Sequence, residues 1–325
     1  MTPTMWHAGA PEELWDEKQT RLQAHFLQSR AWAIFQIALG RQVFYAFCDG
    51  WTWVAILEKG RFGTRLYCPY GPTARDAEAM NYALAALQSC ARSQGVSYLR
   101  IEPQGVAVED LRKQHHLTPA HRNIQPHFTL MKDLTPPEDE LLAEMTATNR
   151  NLHRTAPKKG LSFRKSTDPD DIQLLLSMLH EVADKNKVHF HEDAYFILMA
   201  RVLFPLGAAS LFIAELAGQP VATSLVFDSA TTRYYAHAAS RAEFRKLHPG
   251  TPLVSHMIFD AKAGGKTAFD FYGVAPPNQP DHPWAGFTAF KQSFGGHIVD
   301  LQGTWELPVK KFNHLLYRTL TKLGK

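Results

Sequence analysis

The sequence predicts two tandem α/β (α+β) domains, each with a mixed, mostly antiparallel sheet flanked by helices. The chain has 325 residues, which is enough for two domains of ordinary size. The order helix, helix, strands, helix, strand occurs twice, without a residue-level repeat. Residues 133–140 carry two prolines and a run of acids, and they form a candidate boundary between the two copies.

In the first half, hydrophobic periodicity and turn residues define the elements. Asp49-Gly50 is a hairpin turn, and Met80, Ala83 and Leu84 keep the helical period. The expected elements are a helix over 12–27, a short helix from Ser29 to Gly40, strands over 43–47, 51–57 and 66–69, a helix over 75–94, a strand over 98–101, a helix over 108–115 and a strand over 128–131.

The second half repeats this order. Gly218-Gln219 is expected as the first turn of an antiparallel meander, and Thr251-Pro252 as a helix start. The expected elements are a strand over 161–165, a helix from Asp168, a helix over 193–204, strands over 211–216, 221–227 and 233–238, a helix from Thr251 to Ala263, a strand over 269–272 and a last helix over 309–323.

Composition is that of an ordinary globular protein, with 45% apolar and 20% charged residues. A net charge of +4 does not prove nucleic-acid binding, but it suits contact with tRNA or a phosphorylated sugar precursor. Three cysteines without a metal or redox spacing favour a reduced, cytoplasmic setting. We expect no signal peptide at the start of the chain, and no apolar run is long enough to span a membrane.

One lysine stands out near the C-terminal end. Lys291 lies among Phe287, Phe290 and Phe294 on a helical turn that ends at Gly295-Gly296. A lysine with apolar neighbours loses hydration, which favours a functional placement. The alternative is a lysine that extends from an amphipathic turn into solvent.

Other patterns are weaker. The basic stretch 141–160 is either a solvated helix face or a phosphate contact surface. Gly264-Gly265-Lys266-Thr267 lacks the earlier glycine of a P-loop and lies between a helix and a strand. His189, His191 and Glu192 offer no third ligand at helical spacing, so no metal is expected.

The run G-F-x-x-F-K-x-x-F-G-G over 286–296 follows a strand that ends in D-F-Y-G-V. With Gly303 and Pro308, it resembles the signature of the FemABX family, the peptidoglycan-bridge aminoacyltransferases that use aminoacyl-tRNA. Further similar stretches lie at 29–33, 67–72, 98–103, 148–152 and 185–196.

The resemblance implies two tandem domains like those of acetyl-CoA-dependent N-acetyltransferases (GNAT-like), without a cofactor. The first would hold residues 1–134 and the C-terminal helix, 304–325, and the second residues 135–303. A long coiled-coil arm between the helices of the second domain has no room in this sequence, and we expect a monomer.

The resemblance also assigns roles to residues. Lys291 and Phe290 match an F-K pair thought to face the aminoacyl ester, and Glu102 a carboxylate near the acceptor amine. A structural ion pair with Arg100 or with a neighbouring strand-end residue remains open for Glu102. Tyr195 matches a tyrosine that lines the sugar-nucleotide or peptide site. The other candidate substrate-binding residues are His191, Trp32, Tyr70, Arg100, Arg245 and Tyr272.

Two positions depart from the pattern. Ile34 stands where some members have a phosphate-binding lysine, and His191 where they have an arginine. Both changes weaken the case for a soluble UDP-linked acceptor. A lipid-linked precursor, or a different phosphate grip by His189, His191 or Arg245, remains open.

The expected function is transfer of glycine, alanine or serine from aminoacyl-tRNA to the side-chain amine of a peptidoglycan precursor pentapeptide. The protein would be cytoplasmic, with peripheral contact to the inner face of the membrane if the acceptor is lipid-linked. An acyl-CoA-dependent N-acyltransferase is the rival class, but Ser240–Thr251 holds one glycine where a phosphate cradle would need several. A non-catalytic role, either tRNA-binding or structural, is a third hypothesis.

Overall fold

A computed structural model describes residues 5–60, 63–186 and 190–323. The chain forms two compact units, one made of residues up to His127 and from Asp300 onward, the other of Phe128–Val299. In chain order the first unit contains β1 (His7–Ala8), α1 (Trp15–Arg21), α2 (Arg30–Ala38), β2 (Gln42–Cys48), β3 (Trp51–Gly60), β4 (Gly63–Cys68), β5 (Thr73–Ala74), α3 (Ala77–Ser93), β6 (Tyr98–Ile101), α4 (Val108–His115) and β7 (Thr118–Pro119).

The second unit follows, and the chain then returns to the first unit with one strand and one helix. The second unit contains β8 (Phe128–Asp133), α5 (Glu138–Ala143), α6 (Ala147–Thr155), β9 (Leu161–Ser166), α7 (Ile172–Asn186), α8 (Asp193–Leu203), β10 (Ala209–Leu216), β11 (Gln219–Asp228), β12 (Thr232–Ser240), α9 (Gly250–Ala263), β13 (Ala268–Gly273), α10 (Ala285–Gln292) and β14 (His297–Asp300). The returning elements are β15 (Trp305–Pro308) and α11 (Lys311–Leu323).

Each unit is built on one mixed sheet. The first sheet has the order β1-β2-β3-β4-β6-β15-β7, with β5 paired to β3, and the second β14-β8-β13-β12-β11-β10-β9. Each has a parallel pair joined through a helix: β4 and β6 through α3, and β12 and β13 through α9. Such a pair needs a long crossover, whereas the hairpins around it need only short turns. The predicted fold class is confirmed.

Local signals explain most of these elements. The Asp76 carboxylate accepts a hydrogen bond from the Ala79 N–H at 2.8 Å and so caps α3. The apolar side of α3 is buried against the first sheet, as its periodicity predicts. In the second unit, Leu253, Met257 and Ile258 of α9 are buried in the same way against their own sheet.

Three expectations need correction. The helix expected over 12–27 is shorter: α1 ends at Arg21, and a separate 3-10 turn occupies Phe26–Gln28. The strand β8, expected in the first half, pairs with β13 of the second sheet. The strand β15 was not expected, and it lies between β6 and β7. The last two are long-range pairings, which local periodicity does not encode.

The structure also bears on smaller expectations. The β10–β11 turn is centred on Ala217 and Gly218, both with positive φ, one residue before the position we expected. In the second unit, α7 has 15 residues and α8 has 11. No helix within the described residues is long and apolar enough to cross a membrane.

Candidate functional site

The candidate site lies where two parallel strands of the second unit separate. The strands β12 and β13 pair only from Thr232–Ala268 to Tyr234–Asp270, after which β12 continues beside β11 alone. A cavity of about 350 Å³ lies against this part of the sheet. Small side chains of β11 and β12, the segment that leads into α9, and one side of α10 line the cavity. In open sheets, ligands bind beyond the ends of parallel strands.

Lys291 of α10 lines this cavity together with Phe287 and Phe290. Its Nζ donates a hydrogen bond to the Gly273 carbonyl oxygen at 2.6 Å, so it does not simply extend into solvent. Burial lowers the pKa of Lys291 to about 8, although the charge of Asp270 acts to raise it. An ammonium group has three N–H donors, and within the described part of the chain one is used, so two remain for a ligand in the cavity.

Asp270 is the buried carboxylate that accompanies Lys291. It is 2% exposed and accepts hydrogen bonds from the Thr129 hydroxyl and, at 2.7 Å, from the Tyr272 N–H. Burial raises the pKa of Asp270 to about 6, against the effects of these two donors and of Lys291. At neutral pH the two groups are therefore mostly a carboxylate and an ammonium.

The Asp270 carboxylate also stabilises the irregular end of β13. Between Asp270 and Gly273, the register of β13 against β8 shifts by one residue, which is a β-bulge. Tyr272 lies in this bulge with a φ of +63°. Asp270 binds the Tyr272 N–H and so holds the bulge from which the Gly273 carbonyl meets Lys291.

Both ends of α10 are tied to the second unit. Near its start, the Thr288 hydroxyl accepts a hydrogen bond from the Ala275 N–H at 2.8 Å. Beyond its end, Asn149 of α6 donates to the Ser293 hydroxyl at 2.7 Å and to its carbonyl at 3.2 Å. These contacts fix the position of the helix that carries Lys291.

The paired glycines after α10 have a steric reason. Gly295 has a φ of +85°, and a Cβ there would lie 2.8 Å from the Glu144 Cβ. Gly296 has a φ of +95°, and a Cβ there would lie 2.6 Å from the Met131 carbonyl oxygen. Only glycine fits such backbone angles with so little space.

Arg245 is a second cation in the lining of the cavity. It is exposed, and it lines the cavity with Pro249, Gly250 and Thr251 at the start of α9. A guanidinium and a helix N-terminus both favour a negatively charged ligand group. Gly250 is the single glycine of this segment, as the sequence states.

His191 and Tyr195 form a different cluster. Their rings stack with centroids 4.2 Å apart, and Phe196 beside them contacts the ring of His237 on β12. Burial, with a smaller effect of His191, lowers the pKa of His237 to about 4. Neither His191 nor Tyr195 lines the cavity, and His189 lies outside the described residues.

In the first unit, Glu102 is 1% exposed and fully hydrogen-bonded. It accepts from the Tyr67 and Thr304 hydroxyls at 3.1 and 2.7 Å, and from the Tyr70 and Gln125 N–H groups at 2.9 and 3.2 Å. Burial raises the pKa of Glu102 in spite of these donors. Its contacts join three separate segments of the first unit, and its role near an acceptor amine stays a prediction.

Three further candidates lie in the first unit. The Tyr70 hydroxyl donates to the Pro126 carbonyl at 3.0 Å, and Trp32 packs beside Phe35 with 9% exposure. Arg100 is 5% exposed and donates to Glu306 at 2.6 Å. Arg100 therefore has a structural ion pair, but its partner is Glu306 and not Glu102.

The structure thus brings Lys291, Phe290 and Arg245 to one cavity, with Tyr272 beside the Gly273 carbonyl. The assigned roles of all candidate residues stay predictions.

Sequence reasoning gave no role to Asp270, although an acid between Phe269 and Phe271 in an apolar strand was a usable signal. Within the described residues, no group of three or more His, Cys, Asp or Glu could hold a metal ion.

Comparison with solved structures identifies the architecture. A crystal structure of FemX aligns over 95% of this chain and 99% of that chain, with a TM-score of 0.82 and 17% identity. A tandem GNAT protein from the clavulanic acid biosynthesis pathway aligns over 94% and 99%, with a TM-score of 0.53 and 13% identity. The predicted GNAT-like character of the two tandem domains is therefore confirmed.

Sequence comparison adds a relative and a family. The Lipid II:glycine glycyltransferase of Staphylococcus epidermidis is 19% identical in an alignment that covers 62% of this chain. The matched region spans 63% of the length of that protein. Residues 112–217 and 206–322 match the model of the FemAB family, and together they cover more than half of the chain. The predicted family is therefore confirmed: this protein belongs to the FemAB family.

Proposed function

We propose that the protein is an aminoacyltransferase that builds the interpeptide bridge of peptidoglycan. It moves glycine, alanine or serine from aminoacyl-tRNA to the side-chain amine of a precursor pentapeptide. The observation that carries the proposal is the desolvated Lys291 ammonium, which lines a cavity of about 350 Å³ in a FemAB-family chain.

The reaction exchanges one bond for another. The acceptor amine attacks the ester carbonyl of the aminoacyl-tRNA, the C–N bond forms, and the C–O bond to the terminal ribose breaks. The amine loses a proton and the ribose oxygen gains one, so the products are an amide and a free tRNA hydroxyl. An aminoacyl ester is already activated, so positioning supplies much of the rate and no strong base is needed.

In this scheme Lys291 acts on the ester. One of its N–H groups is used by the Gly273 carbonyl, and a second donates to the carbonyl oxygen as negative charge develops there. Few water molecules compete in a partly buried site, which strengthens this interaction. Phe290 forms an apolar wall beside the ester, and Arg245 binds a phosphate of the tRNA end.

We further propose that the acceptor is lipid-linked. The similar glycyltransferase is named for lipid II, and this chain lacks two phosphate contacts at Ile34 and His191 that a soluble nucleotide precursor would use.

A transfer assay tests both steps. Labelled glycine, alanine and serine are presented on charged tRNA, with UDP-linked and lipid-linked pentapeptide as parallel acceptors and labelled acetyl-CoA as a control donor. The expected result is transfer from tRNA, faster to the lipid-linked acceptor. Transfer only to the UDP-linked acceptor would overturn the acceptor assignment. Label from acetyl-CoA alone would replace the whole proposal by the rival N-acyltransferase, whose phosphates would lie at Arg245 and the start of α9.

A further inference from the structure

The C-terminal helix α11 packs against the first sheet with one side only. The ring of Tyr317 stacks on Tyr98 of β6 with centroids 4.8 Å apart. His314 is 4% exposed, and its Nε2 lies 3.0 Å from a carboxylate oxygen of Glu306 on β15. Residues three apart lie on one side of a helix, so these contacts define which side faces the protein.

The other side of α11 presents three large apolar side chains to solvent. Phe312 is 77% exposed, Leu315 is 64% exposed and Leu316 is 50% exposed. The spacing i, i+3, i+4 places them in one continuous strip along the helix. Single exposed apolar residues are ordinary, whereas a contiguous strip of this kind marks an interaction surface. We call these three residues the apolar strip.

The segment that carries the apolar strip has charges of one sign. From Leu307 to Lys325 the sequence holds five lysines and arginines and no aspartate or glutamate. Helical geometry places Lys311, which is exposed, and Arg318 along the edge of the strip beside Leu315. Arg318 also reaches back to the Thr118 hydroxyl at 2.6 Å, so Lys311 is the more available of the two cations.

We propose that the apolar strip, with the cationic edge beside it, is a docking surface for an anionic phospholipid bilayer. A helix with an exposed Phe and Leu side next to a lysine-bearing edge, and without acids, suits the boundary between lipid headgroups and acyl chains. A second copy of this chain is a poorer occupant, because a symmetric helix pair would bring two acid-free cationic segments together. The strip would hold the protein at the membrane independently of any substrate.

Vesicle flotation tests the proposal. The full chain is mixed with vesicles of equal parts phosphatidylglycerol and phosphatidylcholine, or of phosphatidylcholine alone, without any lipid-linked precursor. Wild-type protein should float with the anionic vesicles and at least tenfold less with the neutral ones. The variant Phe312→Ser, Leu315→Ser, Leu316→Ser should lose flotation at least tenfold, and Lys311→Gln should reduce it several-fold.

A matched control removes an apolar side chain of equal exposure elsewhere. Leu14, beside α1, is 63% exposed, so Leu14→Ser makes a comparable surface change outside α11 and should float as the wild type does. Thermal unfolding checks that each variant is folded, since all the replaced side chains are exposed.

Several results would overturn the proposal. These are a wild type that does not float with anionic vesicles, a triple variant that floats normally, or a Leu14→Ser variant that loses flotation equally. Sedimentation velocity gives the fourth: a wild-type dimer that the triple variant abolishes would assign the strip to a second copy of this chain. Because no precursor is present, these outcomes are separate from those of the transfer assay.

Discussion

Each unit contains a pair of oppositely charged groups, and the two pairs differ in their contacts with the rest of the protein. In the first unit, Glu306 binds Arg100 at 2.6 Å and lies 3.0 Å from His314. Burial alone would raise the pKa of Glu306, but the His314 and Arg100 contacts hold it below its usual value. In the second unit, burial instead brings the pKa values of Asp270 and Lys291 to about 6 and about 8, towards neutrality.

This difference separates a structural pair from a candidate reactive one. Among the described residues, Arg100 and His314 bind the Glu306 carboxylate, and Arg100 also donates to the Tyr317 hydroxyl of α11. Both members of this pair stay charged. Among the residues that the structure describes, Lys291 has one hydrogen bond, to Gly273, and it lines a cavity. Groups whose pKa values are shifted towards neutrality by burial in a cleft are typical of functional sites. The four predictions below test this contrast, in decreasing order of expected free-energy change.

Glu306→Ala should cause the largest loss of stability. It leaves Arg100 charged, buried and without its carboxylate, which costs roughly 3–5 kcal/mol. The free energy of unfolding from urea titration measures the loss.

A more exposed bridge of the same sheet provides the control. Arg65 and Glu58 lie 2.7 Å apart, with side chains 22% and 24% exposed. Glu58→Ala should therefore lose at most about 1 kcal/mol. Equal losses in the two variants would show that the buried pair contributes no more than a surface bridge.

Lys291→Met should reduce transfer roughly 10²–10³-fold, the usual effect of removing one donor to a developing oxyanion. The free energy of unfolding should not fall, because methionine needs no hydration in the same place. Single-turnover transfer from charged tRNA measures the chemical step.

Lys262→Met is the matched control. The Lys262 Nζ also donates to a backbone carbonyl, that of Leu134 at 2.8 Å, but Lys262 does not line the cavity. Its loss should leave transfer nearly unchanged. A comparable drop in both variants would mean that general destabilisation, and not the site, explains the effect of Lys291→Met.

Asp270→Asn should alter the pH dependence of stability. Folding raises the pKa of Asp270 from 3.8 to about 6. The contribution of this carboxyl group to the stability of the fold is therefore fully present below pH 3.8 and is lost as pH rises through 6. Asparagine does not ionise. Between these two pH values the free energy of unfolding of the variant should therefore rise relative to that of the wild type, by up to ~3 kcal/mol.

Urea titrations at several pH values between 4 and 7 measure this gain. Transfer should fall about tenfold at neutral pH, because the charge beside Lys291 is lost while asparagine can still accept the Tyr272 N–H. A stability difference that does not change with pH would mean that Asp270 is not buried as an ionised group.

The contrast between the two units also shows what the sequence can predict. The helix α3 is local: its apolar period and its capping residue, Asp76, lie in one stretch of the chain, and the period predicted the helix. The strand β15 depends on β6, more than 200 residues away, so no local pattern revealed it. The motif around Lys291 predicted a desolvated cation, whereas Asp270 and the Gly273 carbonyl became its partners only through a bulge that pairs with β8. Likewise, Arg100 binds Glu306 only because the unexpected strand β15 pairs with β6.

The last prediction concerns the charge on Lys291, and its expected effect on the free energy is the smallest of the four. Its ammonium is lost as pH rises through about 8, whereas arginine stays charged throughout this range. Lys291→Arg should be slower than the wild type at pH 7, since the guanidinium is larger. Above pH 8, the ratio of the variant rate to the wild-type rate should rise about tenfold per pH unit.

Titration of the acceptor amine and hydrolysis of the ester affect both enzymes equally and cancel in this ratio. Single-turnover rates between pH 7 and pH 9.5 give the ratio, with Lys262→Met as a variant whose ratio stays constant. A constant ratio for Lys291→Arg would mean that Lys291 contributes its shape and not its charge, and would remove the difference between the two pairs of charges.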